Sequence, residues 1–185
     1  MTNPVDSYSD DFIAQVLNEA RVFAFVGAST NVSRPSYFAM KYLLAKGYDV
    51  HPVNPGHAGK TLLGRTVYAK LEDVPAPVDV VDIFRNSEAA LAITRDAIAL
   101  KEKLRIKFVW MQLGVCNAEA AAEAEAAGLL VVMNRCPKIE YGRLSGEIGW
   151  MGVNMRTTSS RMPKVSAYGV QTRMLPGPPK RTRDS

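Results

Sequence analysis

Short apolar segments recur along the chain and alternate with longer amphipathic ones. Four of the short segments are apolar throughout and rich in β-branched and aromatic residues: 22–26, 78–84, 108–113 and 129–133. A fifth segment of similar length, 48–53, is more polar. Segments that are apolar on both faces predict the buried strands of a parallel sheet.

The longer segments have the apolar spacing of helices. Before the first strand, residues 9–20 place Phe12, Ile13, Val16 and Leu17 at helical intervals. The other helical segments are 36–46, 87–103 and 117–127, with Ser or Asn at their starts and glycine after the first and the last of them. These residues are typical helix caps, so the pattern predicts four helices.

The order of these elements predicts the fold class. Strand, helix, strand, short insert, strand, helix, strand, helix and strand follow one another. This alternation predicts an α/β protein with a Rossmann-like, doubly wound, five-stranded parallel sheet and helices on both faces. With the strands numbered along the chain, the expected order in the sheet is 3-2-1-4-5.

Composition favours one globular domain. The 185 residues are 47% hydrophobic and 22% charged, which is not typical of a disordered chain. No apolar run approaches the ~20 residues of a membrane span. The first twenty residues carry four acids and no Lys or Arg, so we expect no export signal and a cytoplasmic protein. Cys116 and Cys136 match no zinc spacing, and we expect two reduced thiols and no metal site.

The positive charge is concentrated near the end of the chain. Residues 1–142 have a balance of −1, whereas residues 143–185 have a balance of +6, and together they give the net charge of +5. We therefore expect a binding domain over 1–144 and a basic, Pro- and Gly-containing extension over 145–185. A neutral folded part argues against nucleic-acid binding. The extension is either a solvated tail or an arm for a second copy of the chain or another protein partner.

Polar residues follow each predicted strand. In a doubly wound sheet the ligand lies beyond the carboxyl ends of the strands. The first of these loops contains Gly27, Ala28 and Ser29 and runs through Ser33 and Arg34 into a helix, whose free N–H groups favour an anion. The others begin at Asn54, Arg85, Gln112 and Asn134. The loops predict a phosphate-binding cleft, although Gly27 and Ser29 could also form an ordinary tight turn.

The first loop lacks the dinucleotide fingerprint. Two of its glycines are replaced, and the second strand ends in Asn54 where an acid would hold the ribose. An NAD(P)-binding, oxidoreductase-like protein therefore remains an alternative that is supported by the fold alone. Four cations near the second strand suit a further ribose phosphate or are solvated loop residues: His51, His57, Lys60 and Arg65.

Six motifs in order resemble a known family. They are 27–29, 33–36, 52–55, 78–85, 110–114 and 135–140. Together they resemble the stand-alone CoA-binding domain proteins, which are similar to the CoA-binding half of the succinyl-CoA synthetase alpha subunit. The resemblance extends from about Phe12 to Leu144.

The resemblance implies a site for coenzyme A or an acyl-CoA. It assigns the diphosphate to Gly27, Ser29, Ser33 and Arg34, and it includes Ala28 of the same loop among the cofactor-binding residues. It assigns the border of the adenosine to Val53, Asn54 and Pro55. It assigns the pantetheine path to Ile83, Phe84, Arg85, Gln112 and Gly114, with Cys136 in the same cleft.

Catalysis is not expected from this chain alone. The synthetase works through a phosphohistidine on a further ligase domain, and this sequence has no such half. The family often has Asp and His where this chain has Asn134 and Tyr141, which removes two candidate acid or base groups. Cys136 remains open to two interpretations: a thiolate that exchanges with the CoA thiol, or a thiol packed behind the loop. We therefore expect a binding, carrier or regulatory module.

Overall fold

The computed structural model describes residues 8–146. In chain order the elements are α1 (Asp10–Glu19), β1 (Val22–Val26), α2 (Pro35–Ala45), β2 (Asp49–Val53), β3 (Thr61–Leu62), β4 (Arg65–Thr66), β5 (Val80–Ile83), α3 (Ser87–Ala99), α4 (Lys101–Leu104), β6 (Phe108–Met111), α5 (Ala118–Ala126), β7 (Leu130–Val132) and α6 (Pro137–Leu144). Short 3-10 turns cover Pro55–His57 and Leu71–Asp73. Most of the predicted extension lies outside the described residues.

The fold class is confirmed. Five parallel strands form one sheet, while β3 and β4 form a separate antiparallel hairpin. Side chains alternate between two cores on opposite faces of the sheet. Phe23 and Phe25 of β1 pack with α1, α2 and α6, whereas Ala24 packs with α3 and α5. Helices therefore cover both faces, and none of the described helices is long and apolar enough to cross a membrane.

The predicted strand order is wrong. The sheet runs β2-β1-β5-β6-β7. The third long strand, β5, therefore lies beside β1 and not beyond β2. The insert, residues 54–79 between β2 and β5, explains the difference, because it occupies the outer edge of β2. Tyr68 donates its N–H to Pro52 O at 2.9 Å and accepts from Asn54 N–H at 2.8 Å. The observed order is the flavodoxin type, whose direction reverses between β1 and the third long strand.

Capping residues explain most helix starts. Ser9 accepts a hydrogen bond from Phe12 N–H, and Asn86 and Asn117 do the same at α3 and α5. Residues 87–103 form α3 and α4, which meet at Leu100 and not in one helix. The sequence pattern did not predict α6, which carries a glycine in its interior and a buried acid, Glu140.

Asp79 aligns the amino ends of the strands, opposite the predicted ligand edge. Its Oδ2 accepts hydrogen bonds from the N–H groups of Arg21 and Val22, at 2.9 and 3.1 Å. Its Oδ1 pairs with Lys107 Nζ at 3.0 Å. A buried carboxylate with this many partners is retained because its hydrogen bonds replace those it would make with water.

Candidate functional site

The turn after β1 requires glycine. Gly27 has φ of +91°, a region that favours glycine. A Cβ at this position would lie 2.8 Å from Arg85 Cδ and 3.1 Å from Phe84 O. Its N–H donates to Val53 O at 2.9 Å, which joins the ends of β1 and β2. The turn is therefore tied to the strand ends on both sides of β1.

Side chains within the loop fix its path to α2. Ser29 N–H donates to Ser36 Oγ at 3.0 Å, and Ser29 Oγ accepts from Asn31 N–H at 3.1 Å. Asn31 Oδ1 then accepts from Ser33 N–H at 2.9 Å. Helix α2 follows Arg34 without a side-chain cap. Its first residue, Pro35, has no N–H, and Tyr37 N–H donates to Arg34 O at 3.0 Å, so Ser36 N–H is the donor of this turn that suits an anion.

Asn54 joins the second loop to the first. Its Nδ2 donates to Ala28 O at 2.7 Å, and its Oδ1 accepts from Gly56 N–H at 2.9 Å. The amide therefore uses both of its ends in holding two loops in place. An acid in this position would lack the donor for Ala28 O, which gives a structural reason for the missing ribose-binding acid.

The cations predicted near the second strand do not form one cluster. Arg65 Nη1 pairs with Asp49 Oδ1 at 2.9 Å, and His51 Nε2 lies 3.8 Å from the same carboxylate. Asp49 begins β2, so these groups are drawn towards the edge opposite the loops. Lys60 Nζ lies 3.4 Å from His57 Nδ1 in an exposed loop. A different cation, Lys70, lies at the carboxyl edge.

One cavity, the α3 cavity, lies between the ends of β1 and β2, the insert and α3. Its volume is about 590 Å³. It is lined by Val26, Gly27, Val53, Asn54, Pro55, Ala69, Lys70, Leu71, Glu72, Arg85, Ala89, Ala92, Ile93, Asp96, Ala99 and Leu100. The α3 side is a stripe of alanines around Ile93, so the walls combine apolar surface with charged groups at the insert.

A second cavity, the α2 cavity, lies at the same edge under the start of α2. Its volume is about 410 Å³. It is lined by Pro35, Phe38, Ala39, Phe84, Arg85, Gln112, Leu113, Val115, Cys136, Lys138 and Ile139. Arg85 lines both cavities, so the two cavities share one basic residue. Phe38 and Leu113 are 50% and 54% exposed, so the mouth of this cavity is apolar.

The structure brings eight of the predicted site residues to the two cavities. Gly27, Val53, Asn54, Pro55 and Arg85 line the first, and Phe84, Arg85, Gln112 and Cys136 line the second. Six others line neither: Ala28, Ser29, Ser33, Arg34, Ile83 and Gly114. Ala28 and Ile83 are 2% and 0% exposed as whole residues, so they support the site from the cores and offer a ligand almost no surface.

Cys136 is a half-buried thiol at the start of α6. Burial raises its pKa, and the N–H groups of Ile139 and Lys138 lower it by a smaller amount. Arg135 Nε lies 3.8 Å from Glu140 Oε1. The thiolate is therefore not stabilised as the exchange hypothesis requires, and the geometry favours the packed thiol.

Sequence reasoning missed the acid beneath the α2 cavity. Asp82 is fully buried in β5, and burial raises the pKa of its carboxyl well above the ordinary value. Gln112 Nε2 donates to both of its oxygens. The sequence did contain a signal for this group, because Asp82 is an acid inside an otherwise apolar strand. The helix α6 itself was not predicted, although Lys138 and Ile139, which line the cavity, belong to the 135–140 motif.

Known proteins are similar to this chain in sequence. A family model described as "CoA binding domain" matches residues 21–142. The YneT protein of Bacillus subtilis (strain 168) is 28% identical over 129 residues, which cover 70% of this chain and 91% of that protein.

Solved structures show the same similarity. A protein from Pyrococcus horikoshii OT3 is 39% identical with a TM-score of 0.70, over 78% of this chain and 97% of that one. The dinucleotide-forming acetyl-coenzyme A synthetase 1 of Ca. Korarchaeum cryptofilum is 28% identical with a TM-score of 0.52. That match covers 68% of this chain and 28% of the synthetase.

Proposed function

The chain belongs to the CoA-binding domain family, and on that premise we propose that it binds coenzyme A or an acyl-CoA across the carboxyl edge of its sheet. The observation that carries the proposal is the pair of cavities that share Arg85. CoA has two parts of different character, a charged nucleotide and a less polar pantetheine arm. Two adjoining cavities with a cation between them suit such a molecule.

The α3 cavity would hold the nucleotide. Val53, Asn54 and Pro55 form the wall at the end of β2, and the alanine stripe of α3 offers an apolar surface to the adenine ring. The carboxylates of Glu72 and Asp96 supply acceptors for hydroxyl or amino groups. We assign the diphosphate to the loop containing Gly27, Ala28, Ser29, Ser33 and Arg34, beside the uncapped start of α2.

The α2 cavity would hold the pantetheine arm and the thiol or thioester end. Phe84, Arg85, Gln112 and Cys136 line it. Gly114 would border the same path through its backbone, because glycine has no side chain. Ile83 is 0% exposed and would support the path from beneath. The apolar mouth formed by Phe38 and Leu113 suits the methyl groups of the arm.

The residues present fit the group on three physical counts. Both volumes lie within the range of about 300–1,000 Å³ that is typical of small-molecule sites. The lack of a side chain at Gly27 leaves room for Arg85, which lines both cavities, to lie against the turn. The cations Arg85 and Lys70 line the α3 cavity, and they would pair with the phosphates of a nucleotide bound there.

The proposed role is recognition without turnover, as a carrier or regulatory module. Neither histidine of the chain, His51 or His57, lines a cavity, so no group corresponds to a phosphohistidine in the site. The packed thiol of Cys136 supplies no activated nucleophile. A cytoplasmic location and a partner for the basic extension belong to the same proposal.

Titration calorimetry of the purified full chain tests the proposal, with CoA, dephospho-CoA and NAD as separate ligands. We expect binding of CoA, weaker binding of dephospho-CoA and no comparable response to NAD. Binding of NAD with no response to CoA would overturn the proposal in favour of the dinucleotide alternative.

Two matched variants locate the contribution of the 3′-phosphate. Lys70 and Lys60 are both exposed cations that follow β2, but Lys70 alone of the two lines the α3 cavity. We expect Lys70→Gln to reduce the preference for CoA over dephospho-CoA about threefold, the size of an exposed charge pair. Lys60→Gln is the control and should leave that preference unchanged. Equal effects of the two variants would contradict the assignment.

A further inference from the structure

Asp82 is an acid in an apolar place. It is 0% exposed, and its neighbours along β5, Val81 and Ile83, are also fully buried. A carboxyl group in such a position costs free energy unless it is hydrogen-bonded. Gln112 supplies that bond, because its Nε2 lies 3.0 Å from Oδ1 and 2.9 Å from Oδ2.

Gln112 connects this acid to the α2 cavity. Gln112 lines the cavity, although the residue is only 7% exposed, whereas Asp82 does not line it. The backbone is fixed as well, since Gln112 N–H donates to Ile83 O at 3.3 Å and Gln112 O accepts from Val115 N–H at 2.8 Å. The side-chain amide is therefore the group of this residue that is left for a ligand.

We infer that Asp82 is a positioning residue that holds Gln112 so that its Oε1 accepts a hydrogen bond from an amide N–H of the bound pantetheine arm. This inference rests on the proposed function. Because Nε2 is engaged by both oxygens of Asp82, Oε1 is the atom that remains free to face the cavity. A pantetheine arm carries two amide N–H donors, and a buried acceptor selects for them.

Two opposing effects act on the Asp82 carboxyl. Burial raises its pKa, and the hydrogen bond from Gln112 lowers it by a smaller amount. In the observed geometry both carboxyl oxygens accept from the same amide nitrogen, which leaves Oε1 of Gln112 without a bond to Asp82. A glutamine with no buried partner would rotate and present Oε1 and Nε2 in turn.

A double-mutant cycle tests the inference. The variants are Asp82→Val, which has a similar size and no acceptor, Gln112→Met, which has a similar length and no amide, and the double variant. Each is titrated with CoA and with 3′-phosphoadenosine 5′-diphosphate, the nucleotide part without the pantetheine arm. Thermal melting confirms that each variant is folded.

Each single variant should weaken CoA binding about 3- to 10-fold, the contribution of one hydrogen bond. The double variant should be no weaker than the weaker single variant, because Asp82 acts through Gln112. Affinity for the nucleotide should stay within about twofold of the wild type. Asp82→Asn keeps an acceptor oxygen and should bind CoA within about twofold of the wild type.

The alternatives give different results. If Asp82→Val weakens CoA binding by the same factor with and without Gln112, or if the affinity for the nucleotide falls as much as that for CoA, Asp82 has a general structural role and the inference is wrong. A loss in Asp82→Asn as large as in Asp82→Val, or no loss in Asp82→Val, also overturns it. A wild-type protein that binds neither ligand refutes the proposed function itself.

Discussion

Replacing Gly27 with alanine perturbs the site at one defined point. The backbone there has φ of +91°, and the added Cβ would lie 2.8 Å from Arg85 Cδ, 3.1 Å from Arg85 Cγ and 3.1 Å from Phe84 O. The Arg85 side chain can move away from the new methyl group. The Phe84 carbonyl belongs to the backbone that follows β5, so it can move only with the strand end.

The expected loss of stability is the sum of a backbone effect and a packing effect. A non-glycine residue in the left-handed region costs about 1–2 kcal/mol. Displacing the Phe84 carbonyl by a few tenths of an ångström adds about 1 kcal/mol, within the range of overpacking. The sum is about 2–3 kcal/mol, and at about 2–4 °C per kcal/mol the melting temperature should fall by about 4–12 °C. CoA affinity should fall at least about tenfold, because Arg85 is moved from the junction of the two cavities.

Gly64→Ala is the matched control. Gly64 also has a positive φ, +77°, but a Cβ there meets no atom within 4 Å. This variant should show the backbone cost alone, about 1–2 kcal/mol, with CoA affinity unchanged. Chemical denaturation gives the two free energies of unfolding, and calorimetric titration with CoA gives the two affinities.

Two results would refute this reasoning. If Gly27→Ala and Gly64→Ala lose the same stability, the contacts with Phe84 and Arg85 have no energetic consequence. If Gly27→Ala binds CoA as tightly as the wild type, the turn after β1 and the position of Arg85 are not part of the ligand site.

Three further predictions concern groups inside and outside the site. Arg85→Ala should weaken binding of both CoA and its nucleotide part by about 10- to 100-fold in calorimetry, since a charge-assisted hydrogen bond contributes about 1.5–3 kcal/mol; an effect confined to one ligand would contradict the shared position. Cys136 should react with iodoacetamide more slowly than the exposed Cys116 at neutral pH, because its raised pKa leaves less thiolate, and its rate should continue to rise at higher pH. Mass spectrometry of the labelled peptides measures both rates, and faster labelling of Cys136 would contradict the packed thiol. Asp79→Asn should lower the free energy of unfolding by about 1–3 kcal/mol, because it removes the ion pair with Lys107, while leaving CoA affinity unchanged at the opposite edge; a matching loss of affinity would show that the two edges are coupled.

The fold class could be predicted because it depends on local patterns. Strands and helices are specified by residues that lie close together in the sequence. Examples are the apolar runs, the helical spacing, and cap residues such as Ser9 and Asn117. The strand order could not be predicted in the same way, since it depends on which edge of β2 the insert occupies. The backbone bonds of Tyr68 beside β2 decide that edge, and backbone bonds leave no pattern in the side chains.

The site was predictable where one rule applied, that ligands lie beyond the carboxyl ends of parallel strands. The rule found Gly27, Asn54, Arg85 and Gln112. It could not find Lys70 or the alanine stripe of α3, because their positions depend on how the insert and the helix pack. Charge alone did not distinguish the cations near the second strand. His51 and Arg65 lie against Asp49, whereas Lys70 lines the α3 cavity.

A crystal structure of the full chain grown with CoA tests the central claim most directly. The account predicts the adenosine in the α3 cavity, the diphosphate beside the turn at Gly27, and the pantetheine arm passing Arg85 into the α2 cavity towards Cys136. Density for CoA at another surface, or confined to one cavity with the arm directed into solvent, would contradict it.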